Sequence, residues 1–507
     1  MGFDTAKTRF RGKTAYRMMA ASCAMAFALY GYDAGVLGGV QNTKPFLDAI
    51  DNPTDDFTVP MVASSYVLAA TVISASVFFI GMPLGRRGCI LLGDLCVVVG
   101  AALQASAMSV PHIIVARCLC GFGVGLISST VPTYMAEMGI ESSQRGPEVA
   151  KQCAWLITGI AIAYWIDFGF TRMDNQLSWR FPIAFQAVFA AASGLLLWLL
   201  PDTPRWYYAR GRIDEGDAVL ALLHDLPTDS EKVQQQKTEI LASLALEAED
   251  ENKLDWKSLL FWDNTELRAG RRIRISFLIL SIQQMMGINM LVYYSTRIFA
   301  NIGLSPFLSQ LLAAVMNTLF AVGTYFTPGT IEKFGRRPIM IWTALVCGLS
   351  MMLFVIMIGL PHQTSATQWT AVAAVIVYNF SYGYGWVGCP WLYGPEIAPL
   401  RYRHISGAAG SLGEWLFSFI TVFAGGIGVD RTVWKIWVWQ IIACFGVIPF
   451  VYYMCPETKG KSLEEIDGLF AKPGYYHSAG VEEKVIQNTE TISNTSHLDV
   501  VVEEKRD

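Results

Sequence analysis

Three charged residues stand alone inside long apolar stretches, and their types define the chemistry open to this chain. Asp33 lies within "LYGYDAGVLGGV" (29–40), with no other charge between Arg17 and Lys44. Arg117 is the only arginine or lysine of the apolar block at about 112–136, and Glu414 interrupts "SLGEWLFSF". A lone charge in hydrocarbon costs several kcal/mol, so each of these needs a partner or a task. Asp33 precedes Val40, the end of its block, by seven residues, and Arg117 follows Pro111 by six. At a helical rise of 1.5 Å per residue both sit about 9–10 Å below one surface of a bilayer. Matched depth and opposite sign predict that they pair across a helix interface. Small residues on both sides permit close approach: Gly31, Gly35, Gly38 and Gly39 on one, Gly121, Gly123 and Gly125 on the other. Such a pair has two readings. A carboxylate held by an arginine and then parted from it in a dry cavity takes up a proton, so the pair is a proton-coupling site; a pair that never parts is a strut between helices.

Other chemistry finds no foothold. The six histidines are scattered, no paired metal-ligand spacing occurs, and no nucleophile sits beside a base. An enzyme is therefore not expected, nor a metal, nor a cofactor. The net charge of −4 contains no basic block and predicts no nucleic-acid partner. "GFGVG" (121–125) lies inside an apolar block and not after a strand, so it is no nucleotide loop. The ten cysteines nearly all fall in or beside apolar blocks and read as small packing residues, not a disulfide framework.

The elements that hold these residues are membrane helices. The 507 residues are 53% hydrophobic and only 16% charged, with a mean hydropathy of +0.37. Twelve apolar blocks of roughly twenty residues, each long enough for a bilayer, fall at about 18–40, 60–82, 89–109, 112–136, 150–170, 182–200, 273–298, 307–328, 338–360, 369–394, 405–428 and 434–455. The first is too long for a signal peptide. A polar stretch over 203–270 reads as short amphipathic helices in water. The expected organisation is thus a terminal segment at 1–17, a six-helix half at 18–200, a cytoplasmic helical linker at 201–271, a second half at 272–455 and a tail at 456–507. Cations concentrate in alternate loops, which places both termini in the cytosol by the positive-inside rule; the "NTS" at Asn494 is then an unused glycosylation acceptor. The halves echo each other. "LGRRG" (84–88) matches "FGRRP" (334–338), and "VPTYMAEM" (131–138) matches "CPWLYGPEI" (389–397). Two similar halves in one chain are a transporter signature, with the substrate site between them.

Over nearly its whole length the chain resembles the sugar porter family of the major facilitator superfamily, through "GYDAGV", the two "GRR" motifs, "RCLCGFGVG", "PTYMAE", "PDTPRWYYARGR" (201–212), "QQMMGINMLVYY" (283–294), "PWLYGPEIAP" (390–399) and "PETKGKSLEEID" (456–467). "AYWIDFGF" with "WRFPIAFQ" points to a fungal branch of hexose and polyol proton symporters. The resemblance implies an all-α major facilitator fold and a carrier for a monosaccharide (hexose or pentose) or polyol, working by alternating access as a proton symporter in the plasma membrane. A proton-independent facilitator and a non-transporting sugar sensor are the alternatives. It implies the substrate, the proton and the lipid bilayer as partners, and no obligatory protein partner. Gln283, Gln284, Asn289, Tyr293, Asn317 and Trp391 match the family's sugar contacts. Carboxamides suit that role, because a hydroxyl needs both a donor and an acceptor. Arg86, Arg87, Glu137, Arg145, Glu332, Arg336, Arg337, Glu396 and Arg403 match a cytoplasmic charge network that ties the two halves shut on the inner side while the carrier faces out. Three positions depart from the pattern. Met82 stands where the first GRR motif usually has an acid, whereas the second copy has Glu332. Cys153 stands where a sugar-binding glutamine is usual, so that either a hydroxyl contact is lost or Gln152 beside it substitutes after a small rotation. Glu414 replaces the usual asparagine, as a substrate contact, a second proton site or only a hydrogen-bond acceptor in a wet cavity.

Overall fold

The computed structural model describes residues 10–53, 55–139, 145–248, 263, 267–399, 402–432, 434–461 and 463–472. Among the described residues the regular structure is helical throughout, as expected of long apolar segments that must satisfy every backbone group internally. The first half comprises α1 (Gly12–Val40), the short α2 (Lys44–Ala49), α3 (Thr58–Ala105), α4 (Val110–Met138), α5 (Arg145–Phe170) and α6 (Leu177–Trp198). Three polar helices follow: α7 (Pro204–Ala209), α8 (Ile213–His224) and α9 (Glu231–Ala248). The second half comprises α10 (Ala269–Met285), α11 (Ile288–Asn301), α12 (Pro306–Phe334), α13 (Arg336–Gly359), α14 (Ser365–Tyr382), α15 (Gly388–Ile397), α16 (Arg403–Arg431) and α17 (Val438–Met454), with α18 (Leu463–Phe470) beyond it.

Among the described residues eleven helical segments are long and apolar enough to span a membrane, and the divided tenth crossing, α14 with α15, makes twelve. The protein is an integral multi-pass membrane protein. The second and third crossings both run within α3 and are separated at Gly85, whose backbone (φ 77°, ψ 166°) is not helical. The tenth is interrupted by a π-helical stretch, Gly383–Val387, a feature frequent at functional sites. The seventh breaks at Gly287 (φ 87°), between α10 and α11. A Cβ there would lie 1.9 Å from Nε2 of Gln440, so only glycine fits. That break turns the chain between Gln283–Gln284 and Asn289 and aims all three amides at one place. Helix starts use local caps: Ser305 accepts from Leu308 N–H, and Thr364 with Thr367 forms a capping box.

With an even number of crossings, both ends of the bundle lie on one face, here called the terminal face. The linker helices pack beneath the first half on that face: Tyr208, Leu220 and Val233 form a small core, and Asp217 takes bonds from Tyr208 Oη and Lys237 Nζ, both at 2.7 Å. In the second half, Arg272 donates to the side chain of Asp467 and, at 3.1 Å, to Ile397 O, so α18 is bound to α10 and α15. Large apolar side chains such as Leu95, Leu195, Trp342 and Ile442 are exposed around the bundle, the surface that hydrocarbon covers.

Candidate functional site

Asp33 of α1 and Arg117 of α4 meet as their depths predict: Nη1 lies 2.7 Å from Oδ1, with both side chains fully buried. The guanidinium also donates to Ala63 O at 3.3 Å and lies 4.6 Å from the Tyr66 ring centroid, a cation–π contact. Asp33 Oδ2 and Arg117 Nε have no partner. Tyr293 borders Arg117 and also lines the cavity described next. The pair therefore stands one side chain behind that cavity.

The cavity, of about 60 Å³, lies between the halves and is lined by residues of α1, α4, α5, α10, α11, α12, α14, α15, α16 and the π-helical stretch. Gln283, Gln284, Asn289, Tyr293, Trp391 and Glu414 all line it. They form a connected set. Gln284 Nε2 donates to Glu414 Oε1 at 2.6 Å. Asn289 Nδ2 donates to Gln284 Oε1 at 2.7 Å and to Ser418 Oγ at 2.5 Å. Gln283 Nε2 donates to Trp386 O, released by the π-helical stretch. Two acceptors of the set, Gln283 Oε1 and Glu414 Oε2, are buried and unpaired. Aromatic walls complete the space: the Tyr30 and Trp415 rings lie tilted at 35° with centroids 5.1 Å apart, and Trp415 Nε1 donates to Ser128 Oγ. A site of unpaired acceptors and flat apolar walls suits a compact molecule rich in hydroxyl donors.

Two expected substrate contacts do not reach the cavity. Asn317 is buried in α12, where its Nδ2 donates to Ala313 O at 2.9 Å in its own helix. Gln152 is buried without a partner, and its neighbour Cys153 faces the cavity instead. Helical rotation of about 100° per residue puts the two on different sides of α5, so Gln152 does not replace the missing glutamine in this conformation.

On the face opposite the termini the halves are sealed together, mainly by side chains donating to main-chain carbonyls. Gln41 Nε2 donates to Tyr293 O at 2.5 Å, Thr296 Oγ1 to Gly38 O at 2.7 Å, and Tyr164 Oη to Val292 O while accepting from Ser295 Oγ. At the rim, Arg431 pairs with Asp56. The cavity is thus closed toward that face.

The charge network at the terminal face is seen here with the opposite face sealed, the state in which no tie between the halves is expected. Its observed pairs close within each half and do not bridge them. In the first half Arg86 binds Glu137 at 2.8 Å; in the second, Arg336 binds both Glu332 at 2.6 Å and Glu396 at 2.8 Å. The side chains of Arg145 and Arg403 lie outside the described residues. The partners missed from sequence are the acid and threonine of "PDT" and "PET". Asp202 accepts from the backbone N–H groups of Arg86 and Arg87, and Thr203 donates to Glu137 at 2.6 Å. Glu457 accepts from Arg336 and Arg337 N–H, and Thr458 donates to Glu396 at 3.0 Å. Arg87 and Arg337 complete the two corners by donating to Trp198 O and Tyr452 O, at the ends of α6 and α17. Gly85 (φ 77°) and Gly335 (φ 91°) let each carboxylate approach the backbone; a Cβ would sit 2.2 Å from Asp202 Oδ2 and 2.6 Å from Glu457 Oε2. Burial pushes the Asp202 carboxyl up to about 6, against the pull of the Thr203 N–H and the Arg86 guanidinium.

Two further buried acids, Asp94 and Asp167, also escaped the sequence reading. The signal was present, since each is a lone charge in an apolar block, as Asp33 is.

Comparison with known proteins agrees with this architecture. The family model described as "Sugar (and other) transporter" matches residues 19–470. The MFS-type transporter oryC of Aspergillus oryzae is 31% identical over 459 residues, covering 89% of this chain and 84% of its own length. Sugar transporter STL1 of Saccharomyces cerevisiae is 30% identical over 461 residues, covering 88% of this chain and 79% of its own. Among solved structures, the proton:xylose symporter XylE bound to 6-bromo-6-deoxy-D-glucose superposes with a TM-score of 0.76 at 22% identity, covering 90% of this chain and all of that one, a likeness of fold.

Proposed function

The chain belongs to the Sugar (and other) transporter family of non-enzymatic carriers, and from that membership we propose that it moves a monosaccharide or polyol by alternating access, with a proton as coupling ion. The observation that carries the reading is the cavity, where buried unpaired acceptors of Gln283 and Glu414 face aromatic walls one side chain from a buried ion pair. In this reading Gln283, Gln284, Asn289, Tyr293, Trp391 and Glu414 hold the substrate, and Asn317 and Gln152 join only after the helices turn. Asp33 binds the proton and Arg117 expels it when the pair re-forms. The corner clusters of Arg86, Arg87, Glu137, Glu332, Arg336, Arg337 and Glu396 keep each half rigid on the terminal face. Arg145 and Arg403 supply contacts between halves when that face closes. The arginines on the terminal face support the reading that it faces the cytosol, and the plasma membrane is the membrane we propose.

The test is uptake of radiolabelled hexoses, pentoses and polyols by a transporter-deficient host, with and without a protonophore. Accumulation above the external concentration, abolished by collapsing the proton gradient, is the expected result. Equilibrating uptake indifferent to the protonophore refutes symport and leaves a facilitator; no uptake of any sugar or polyol refutes the substrate class.

A further inference from the structure

The seal opposite the terminal face contains an acid to which the transport reading gives no task. Asp167 of α5, in the "AYWIDFGF" stretch, is 1% exposed, and among the described residues no side chain hydrogen-bonds either carboxyl oxygen; its one polar neighbour at bonding range is the Gly39 backbone. It stands where both halves meet, among Gly39 of α1, Thr296 of α11 and Gln310 of α12. Its carboxyl rests on the Gly39 backbone, where an added Cβ would lie 2.2 Å from Oδ2. The titratable groups that face it are the phenols of Tyr32 from α1 and Tyr164 from α5 itself. The second half presents neutral groups, Thr296 and Gln310, and Gln310 Oε1 is occupied by Thr171 Oγ1 at 3.1 Å. Arg172 stacks instead on the rings of Phe168 and Phe307, with its Cζ 4.1 and 5.1 Å from their centroids. Neither Arg172 nor Arg297, which follows Thr296, bonds either oxygen of Asp167.

The space beside the carboxyl is lined by Gly39, Tyr164, Phe168, Thr171, Thr296 and Gln310, none of them a cation. A bare carboxylate buried among them carries a heavy desolvation cost, which a proton removes. We propose that Asp167 is a proton-binding site of the seal, neutral while α1 and α5 are closed on α11 and α12, and ionised once they part and water reaches it. The proposal rests on the alternating-access reading above, in which this seal opens. Because Asp167 gains and loses its proton through the same face, it adds nothing to the number of protons carried per substrate. It makes acid on that face favour closure, a role separate from that of Asp33.

The test uses the purified full-length protein in lipid nanodiscs, without sugar. Thr296→Cys, 7% exposed as threonine in the closed seal, reports opening through its rate of maleimide labelling, corrected for the native cysteines with the parent protein. The thiol's own pH dependence is removed by comparing Asp167 with Asp167→Asn at each pH. The ratio of Asp167 to Asp167→Asn labelling is expected to be at least about tenfold larger at pH 8 than at pH 5. The water-exposed carboxylate is ionised at both, and each further pH unit adds up to a decade to its preference for the open seal. Asp167→Ser, a smaller neutral variant, is expected to match Asp167→Asn. A rate ratio that does not change between pH 5 and pH 8 overturns the proposal. Repeating the comparison with Asp33→Asn separates the two readings. The ratio still changes with pH if Asp167 is the site, and a pH effect that follows Asp33 overturns it even where symport fails or holds.

Discussion

Replacing Arg117 by glutamine leaves Asp33 buried without its guanidinium. At the observed 2.7 Å and an effective dielectric of about 20, the attraction is about 6 kcal/mol. Much of it is offset by desolvation, and removing one partner of such a pair costs about 3–5 kcal/mol. Arg117→Gln also gives up the contact with Tyr66. Asp33→Asn leaves the guanidinium on Ala63 O and the Tyr66 ring, so it falls at the low end of that range. The double variant, with no charge to strand, is expected to regain most of the loss. The assay is the thermal stability of the four purified proteins, read as a double-mutant cycle, beside substrate accumulation under a pH gradient. Costs that add, with coupling below about 1 kcal/mol, would show that the ions do not depend on each other. Protonophore-sensitive accumulation by Asp33→Asn would refute the coupling role outright.

Glu414→Gln is expected to keep the bond from Gln284 but lose the free acceptor. The apparent KM for uptake should rise about tenfold, equivalent to about 1.4 kcal/mol, with Vmax retained; an unchanged KM removes Glu414 from the substrate site. Gly335→Ala forces a left-handed backbone and a clash with Glu457, costing at least about 1–3 kcal/mol. It should lower the folded fraction in size-exclusion profiles, whereas Gly329→Ala, where an added Cβ meets nothing within 4 Å, should not. Asp202 gives a pH dependence of known sign. Its carboxyl in the folded chain titrates at about 6 rather than the ordinary 3.8, so the folded state binds more protons between those values. The stability this contributes is fully present below the unfolded value and is lost as pH rises through about 6, a change of about 3 kcal/mol. Melting of the wild type minus that of Asp202→Asn should fall between pH 4.5 and 7.5, and a flat difference contradicts it.

Hydropathy made the twelve crossings legible, because each must present an apolar surface to lipid along its whole length. It did not show where they bend. "LGRRG" breaks helical geometry at Gly85, between two crossings, and "GYGWV" adopts π-helical geometry; both depend on neighbours distant in sequence. Charge and depth arithmetic sufficed for Asp33 and Arg117, since two lone ions at one level have few other choices. For Glu137 and Glu396 the motifs indicated which residues carry charge but not where the partners stand, and the pairs close within a half because "PDT" and "PET" return to their own GRR turns. The seal was invisible for a different reason. Its acceptors are the carbonyls of Gly38, Val292 and Tyr293, which every residue type possesses.

The twin corners have a mechanical consequence. Each fastens neighbouring crossings through main-chain groups as well as side chains, so under the proposed alternating access the crossings joined at a corner would move together about a pivot near the aromatic walls. A slight displacement by cargo at the pivot is geared up toward both membrane surfaces. How wide the entrance gapes is then governed by residues that never meet the cargo.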